Sequence, residues 1–316
     1  MPALFLAEAA TPWAPRNDLF GINYRFAGLA FLLVAVGVAA GLFLTPWFRA
    51  RRTRLDRQAG TVKRHTAGYI LMHWLNAVGF LLCTFTALIM LRWLNIAMAK
   101  PLLYTLHFIG AGSILVGMGA VAVHAIARGT STQHPLVPSG KKVYHACVEL
   151  LGYAGLVGDR GILGFAWLRW PAALRRAVEK AVKFKGFERA GKYLAAEEVL
   201  SYPLWALVGL AVVGSGLLKA VRYVYYIPPS VLHWMTLIHD WALWGVLIML
   251  AVHVGAQVLV RTNWPLLASM FTSRVPAEYV RTVHGEWYDN LEREAAEGAA
   301  GLAPVAAARE TPSAGD

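Results

Sequence analysis

Five long apolar runs dominate this sequence and limit what it can fold into. A helix needs about 20 mostly apolar residues, at about 1.5 Å rise each, to cross the roughly 30 Å hydrocarbon core of a bilayer. The runs at 26–48, 67–94, 102–127, 202–221 and 231–260 all meet that length. With no water in the core to satisfy backbone groups, each run has to be helical. The expected fold is therefore all-α and integral to the membrane, with five spans. Composition agrees, since 57% of the 316 residues are hydrophobic and only 15% charged, against about 25% charged in soluble domains. The formal net charge of +12 does not point to nucleic acid, because the basic residues cluster between apolar runs instead of forming a patch on a soluble fold. Membrane lipid is the expected surrounding partner.

Basic loops are retained on the cytoplasmic side. The loop between the first two runs, the long connection 128–201 and the tail after the fifth run hold 24 of the 30 Lys and Arg residues. This places the N-terminus outside and the C-terminus in the cytoplasm. The expected organisation is a periplasmic tail at 1–25, a first transmembrane helix at 26–48 and a basic cytoplasmic loop at 49–66. A membrane domain at 67–260, with its cytoplasmic connection at 128–201, and a cytoplasmic tail at 261–316 complete it. Residues 1–20 lack the charged start and long apolar stretch of a secretory signal. Within the connection, Trp170-Pro171 opens a candidate interfacial helix. Leu174, Ala177, Val178, Ala181 and Val182 share one face, and Arg175, Arg176, Lys180 and Lys183 the other, suited to anionic headgroups. The apolar stretch 144–167 is broken by Glu149, Asp159 and Arg160 and is read as cytoplasmic or re-entrant.

Six of the ten histidines, His73, His107, His124, His233, His239 and His253, fall within the spans. Ionisable groups at membrane depth are expensive and mark functional sites. His239 and His253 are fourteen residues apart, which on one helix is about 21 Å along the axis and about 40° short of four full turns. They share a face at two depths. His73 stands near the inner end of the second span, level with His253. His107 stands near the outer end of the third, level with His239. Two neutral imidazoles facing each other across a bundle suit the axial positions of a non-covalently held haem iron. Zinc would want three or four ligands converging at one level, and a transport path would show broken helices with midplane carboxylates. Cys83 and Cys147 are isolated, with no CxxC, so thiolate zinc, iron–sulfur and c-type haem sites lack support.

The other candidates keep two readings each. His124 and His233 either replace one of the four ligands named above, or pack at an interface or contact haem propionates. His65 and His284 either relay protons or are solvated loop residues. Asp240 either meets a haem edge or water channel, or pairs with Lys219 or Arg222. Gly110, Gly112, Gly117, Gly119, Gly214 and Gly216 give either haem clearance or close helix packing.

Taken in order, His73-Trp74-Leu75-Asn76, Leu106-His107-Phe108, Gly191-Lys192-Tyr193, Leu237-Ile238-His239, Val252-His253 and Trp287-Tyr288 resemble the cytochrome b (gamma) subunit of membrane-bound formate dehydrogenases. The related di-haem cytochromes b of hydrogenases and thiosulfate reductases share the likeness, which covers roughly 63–294. It implies a di-haem four-helix bundle, here with one additional N-terminal transmembrane helix. It also implies two haem b groups, with His107 and His239 on the periplasmic one and His73 and His253 on the cytoplasmic one.

The resemblance further implies partners, namely a periplasmic iron–sulfur subunit and a catalytic oxidoreductase subunit. A quinone, menaquinone or ubiquinone, would react near the cytoplasmic face, with Gly191, Lys192, Tyr193 and His253 as candidate residues. Leu194 and Ala196 replace the Asn and second Gly of the family's usual Gly-Lys-Tyr-Asn-Ala-Gly segment. The expected role is that of the electron-transfer and quinone-reactive subunit of an oxidoreductase, with no substrate-oxidising site of its own. Alternatives are a quinol-oxidising subunit that sends electrons outward to a reductase, a self-contained quinol or ferric reductase, and a non-redox anchor or transporter.

Overall fold

A computed structural model describes residues 18–50, 54–128, 139–158 and 170–309, with the side chains of 18–24, 44–50, 124–125, 127–128 and 298–309 left aside. Most of the expected tail at 1–25, together with Asp159 and Arg160, lies outside the described residues. In chain order the elements are α1 (Asp18–Ala50), β1 (Arg54–Asp56), β2 (Thr61–Lys63), α2 (Ala67–Met90), α3 (Lys100–Arg128), α4 (Gly140–Tyr153), α5 (Ala172–Ala181) and a π-turn (Glu197–Ser201). Then follow α6 (Tyr202–Val221), α7 (Pro229–Leu259), a 3-10 turn (Arg261–Asn263), α8 (Trp264–Thr272), β3 (Arg274–Pro276), α9 (Ala277–Val283) and α10 (Gly285–Arg309). Among the described residues five helices, α1, α2, α3, α6 and α7, are long and apolar enough to cross a membrane. The fold is the expected five-span, all-α one.

The chain sorts into two compact units. The first holds α1, α2, α3, α6 and most of α7. Its helices meet through small residues, as membrane helices do when lipid offers no hydrophobic drive for association. A Cβ on Gly79 would lie 2.8 Å from the Gly110 carbonyl oxygen, and one on Gly110 would lie 2.8 Å from Cys83 Sγ. The α2–α3 contact therefore requires glycine on both sides. Phe80, Ile114, Val208, Val246 and Met249 form a buried cluster drawn from α2, α3, α6 and α7. Leu42, Phe43, Leu210 and Trp241 are exposed, as expected of side chains that face lipid. The second span ends at Met90, earlier than expected, because Arg92 adopts a left-handed φ of 60° and the Trp93 N–H turns back to the Leu88 carbonyl at 2.9 Å.

The second unit collects the loop 51–66, the connection 138–200 and the residues from 256 onward. Two of its segments, read from sequence as loop and tail, carry ordered structure. β1 and β2 form an antiparallel hairpin, and β2 also pairs with β3, Val62 standing opposite both Leu55 and Val275. Gly60 takes a positive φ of 60° in the turn, and Arg274 Nη1 bonds both Asp56 Oδ2 and Thr61 Oγ1 at 2.9 Å. Val62, Val275, Val280, Trp287 and Leu291 make the core around this sheet.

At 14 residues, α4 spans about 21 Å, short of a bilayer core. It begins on an N-cap in which Ser139 Oγ accepts from the Lys142 N–H at 3.3 Å. On α5 one residue departs from the expected basic face: Arg175 turns inward with Glu179, while Arg176 and Lys180, and Leu174 and Ala177 on the apolar side, are exposed. The reason is the peptide of Gly158, whose carbonyl takes the Arg175 guanidinium and whose N–H donates to Glu179 Oε1.

Candidate functional site

Four histidines meet as two pairs. His107 on α3 and His239 on α7 have ring centres 6.4 Å apart with planes at 73°. His73 on α2 and His253 on α7 have ring centres 6.3 Å apart with planes at 50°. A metal-bound imidazole nitrogen stands about 2.0–2.1 Å from the metal and about 1.1–1.2 Å from its own ring centre, so two imidazoles on opposite sides of one iron have centres about 6.3 Å apart. Both pairs fit a bis-imidazole haem by that measure. Among the described residues no group of three or more His, Cys, Asp and Glu side chains could hold a metal ion.

Hydrogen bonds at one pair fix which nitrogen is offered. His239 Nδ1 lies 3.0 Å from the Val212 carbonyl oxygen and 3.1 Å from Ser215 Oγ. A carbonyl only accepts, so Nδ1 carries the proton and Nε2 keeps its lone pair. His107 Nδ1 lies 2.9 Å from Thr86 Oγ1, whose hydroxyl proton is engaged by the carbonyls of Leu82 and Cys83 at 2.8 and 3.0 Å. Thr86 Oγ1 therefore accepts from His107, and here too Nε2 is left free. This is the outer support that metal-binding histidines require. Sequence reasoning missed Thr86, Val212 and Ser215. The available signal was a hydroxyl within an apolar span, Ser215 standing between two glycines.

A cavity of about 590 Å³ borders His107 and His239, within the roughly 300–1,000 Å³ typical of cofactor sites. Its walls are mostly apolar, including Phe26, Phe80, Phe108 and Leu115, and Lys219, Arg222 and Asp240 also line it. Asp240 Oδ1 lies 3.7 Å from Lys219 Nζ, which is the pairing alternative weighed for it. Gly216 packs against the His239 ring, where a Cβ would stand 3.0 Å from Cε1. Gly110, Gly117 and Gly119 instead meet Gly79, Asn76 and Gly37, Gly112 faces Leu33, and Gly214 has nothing within 4 Å. Helix packing accounts for most of these glycines. At the second pair, Trp205 sets its ring edge-on to His253 at 6.4 Å and to Phe80 at 5.5 Å.

Phe80 and Ile114 lie seven residues beyond His73 and His107, and Val246 lies seven from both His239 and His253. Two helical turns, about 10.5 Å, thus separate every histidine from one shared apolar layer.

The remaining histidines divide. The side chain of His124 lies outside the described residues. His233 is exposed beside Trp234. His65 and His284 are not solvated, being 7% and 0% exposed. His284 Nδ1 donates to the Gly191 carbonyl at 2.8 Å, and burial, with the Arg64 charge behind it, pushes its pKa down to about 4.

In the Gly191-Lys192-Tyr193 segment the Lys192 carbonyl accepts from Arg64 Nη2 at 3.2 Å. Arg64 stands over the rings of Tyr193 and Trp287. These three candidates belong to the second unit and His253 to the first. Leu194 and Ala196 are buried. Their N–H groups, with that of Ala195, donate to Glu197 Oε2 and to the two oxygens of Glu149. The polar Asn of the usual segment would have to be buried here, which accounts for the departure.

Burial, reinforced by Glu197 and Glu188, raises the Glu149 pKa to about 7 against the pull of the two backbone N–H groups. Glu149 and His284 act in opposite directions, and Glu197, whose carboxyl pKa burial also raises, acts in the same sense as Glu149. A carboxyl with a raised folded pKa loses stability as pH rises from 4.5 to 7, because the native state holds the extra proton there. An imidazole with a depressed folded pKa loses stability as pH falls from 6.5 to 4. Each effect is on the order of 1–3 kcal/mol, so the contributions of Glu149 and His284 largely offset each other between pH 4.5 and 6.5. Relative to the wild type, His284→Gln should tilt the melting temperature downward with rising pH, and Glu149→Gln should tilt it upward. Thermal denaturation in detergent followed by circular dichroism checks both, and parallel profiles for the two variants would contradict the assignment.

These features define a multi-pass helical membrane protein with paired intramembrane histidines suited to haem b. The family model of prokaryotic cytochrome b561 matches residues 64–273, well over half of the chain, and the chain belongs to that family. Its members are helical membrane proteins that bind haem b, typically two, and transfer electrons. No curated protein matches the chain.

Proposed function

We propose that this chain is the di-haem electron-transfer subunit of a respiratory oxidoreductase of the formate dehydrogenase or hydrogenase kind. It would carry electrons between a periplasmic iron–sulfur partner and the quinone pool. The observation that carries this reading is the pair of imidazole separations, 6.4 and 6.3 Å, on two levels of one helix. His107 and His239 would hold one haem b, and His73 and His253 the other. Each haem, when bound, supplies one-electron redox chemistry, while the protein supplies ligation, orientation and a low dielectric.

Thr86, Ser215 and the Val212 carbonyl orient the first pair of imidazoles. The layer of Phe80, Ile114, Val208, Val246 and Met249 keeps water from joining the two levels. The basic loops support a cytoplasmic C-terminus, which puts His107 and His239 toward the periplasm and His73 and His253 toward the cytoplasm. The quinone assignment is supported by the resemblance of Gly191-Lys192-Tyr193.

Anaerobic addition of a short-chain quinol to the oxidised, detergent-purified chain tests the reading. The expected result is rapid reduction of the haem in His239→Ala, which keeps His73 and His253, and slow reduction in His253→Ala. Equal rates in the two variants, or no reduction in either, would overturn the quinone assignment.

A further inference from the structure

The first transmembrane helix lies outside the residues matched by the family, 64–273, yet it reaches the cavity at His107 and His239. Phe26 on α1 lines that cavity. It stacks on Phe108, with ring centres 4.3 Å apart and planes at 11°, and Phe108 is the residue after His107. Ala27 and Ala30 are 0% and 1% exposed. Phe26, Ala30, Leu115 and Ala220 form one buried cluster that ties α1 to α3 and α6.

Two glycines set how closely α1 and α3 approach. A Cβ on Gly37 would lie 2.8 Å from the Val116 carbonyl oxygen, and one on Gly41 2.8 Å from that of Ala120. The opposite face of α1, with Leu29, Phe31 and Leu32, is exposed. The helix therefore has one face built for the bundle and one for lipid.

We propose that α1 is a wall of the His107–His239 haem site, with Phe26 a positioning residue that holds Phe108 beside His107 and excludes water from that haem alone. The proposal rests on the reading that these two histidines hold a haem. The iron–porphyrin core carries one more positive charge when oxidised than when reduced, so a dry apolar wall favours the reduced form and raises the midpoint potential. Opening the wall should lower it.

The test uses the full-length chain in detergent, with haem content and potentiometric titration of the α-band as readouts. Phe26→Ala is expected to shift the midpoint of the His107–His239 haem to lower potential and leave that of the other haem unchanged. His253→Ala, which isolates the first haem, should show the same shift when combined with Phe26→Ala. Gly37→Leu, which forces α1 away from α3, is expected to lose that one haem. Gly28→Leu, at a position on α1 where a Cβ meets nothing within 4 Å, should behave as wild type. Unchanged midpoints in Phe26→Ala, or equal shifts of both haems, would overturn the proposal. If Gly37→Leu does not accumulate as folded chain, Phe26→Ala decides alone. A separate failure, full haem retention in His239→Ala, would sink the ligand assignment itself.

Discussion

His239→Ala is expected to remove the haem shared with His107 and to leave the haem held by His73 and His253, and His253→Ala is expected to do the reverse. The selectivity follows from the geometry of α7. The two residues lie fourteen positions apart on one helix, each facing an imidazole from a different partner helix. Val246, midway between them, is buried at 3% exposure in the layer shared by α2, α3, α6 and α7. Loss of a ligand at one level leaves that layer and the other level intact. Haem per chain by pyridine haemochrome, with the α-band resolved at low temperature, reads the result. Equal loss of both haems from either change would show that the levels are not independent.

Gly79→Leu is expected to abolish both sites at once. Its Cβ would stand 2.8 Å from the Gly110 carbonyl oxygen and 2.8 Å from Ile114 Cγ1. Backbone cannot yield as a flexible side-chain tip can, so α2 and α3 must separate, at a cost of about 3 kcal/mol or more. His73 lies on α2 and His107 on α3, each within two turns of the contact, so both pairs lose their alignment. Gly214→Ala is the matched control, since a Cβ there meets nothing within 4 Å and helix propensity favours alanine by about 1 kcal/mol. Haem content and thermal stability of the purified variants distinguish them. Near-normal values for Gly79→Leu would mean that the two helices do not meet through these glycines.

Much of the first unit was legible in the sequence, because a bilayer reduces the fold problem to length and hydropathy. The five apolar runs became five helices with boundaries shifted by a few residues. The fourteen-residue spacing of His239 and His253 needed only helical geometry to place them on one face, and counting inward from the loops set the levels of His73 and His107. The oriented supports were not legible. Ser215 and Thr86 look like ordinary small polar residues until α6 and α2 are placed beside their histidines.

The second unit was harder because its order comes from contacts distant in sequence. β1 and β2 are three residues each and carry charged residues, and the pairing of β2 with β3 joins residues more than two hundred positions apart. The burial of His284 depends on Tyr279 and Trp287 around it and on Gly191, far earlier in the chain. On α5 the periodicity identified a helix, but the Gly158 peptide, bonded by Arg175 and Glu179, decided which face turns inward.

The measurement that bears most directly on the account is the haem content of the purified, folded wild-type chain, by pyridine haemochrome together with the reduced-minus-oxidised spectrum. The account predicts b-type spectra with two haems per chain, one for each histidine pair. A folded chain expressed with ample haem that carries none, or that carries haem undiminished when His107 and His73 are both replaced, would contradict it.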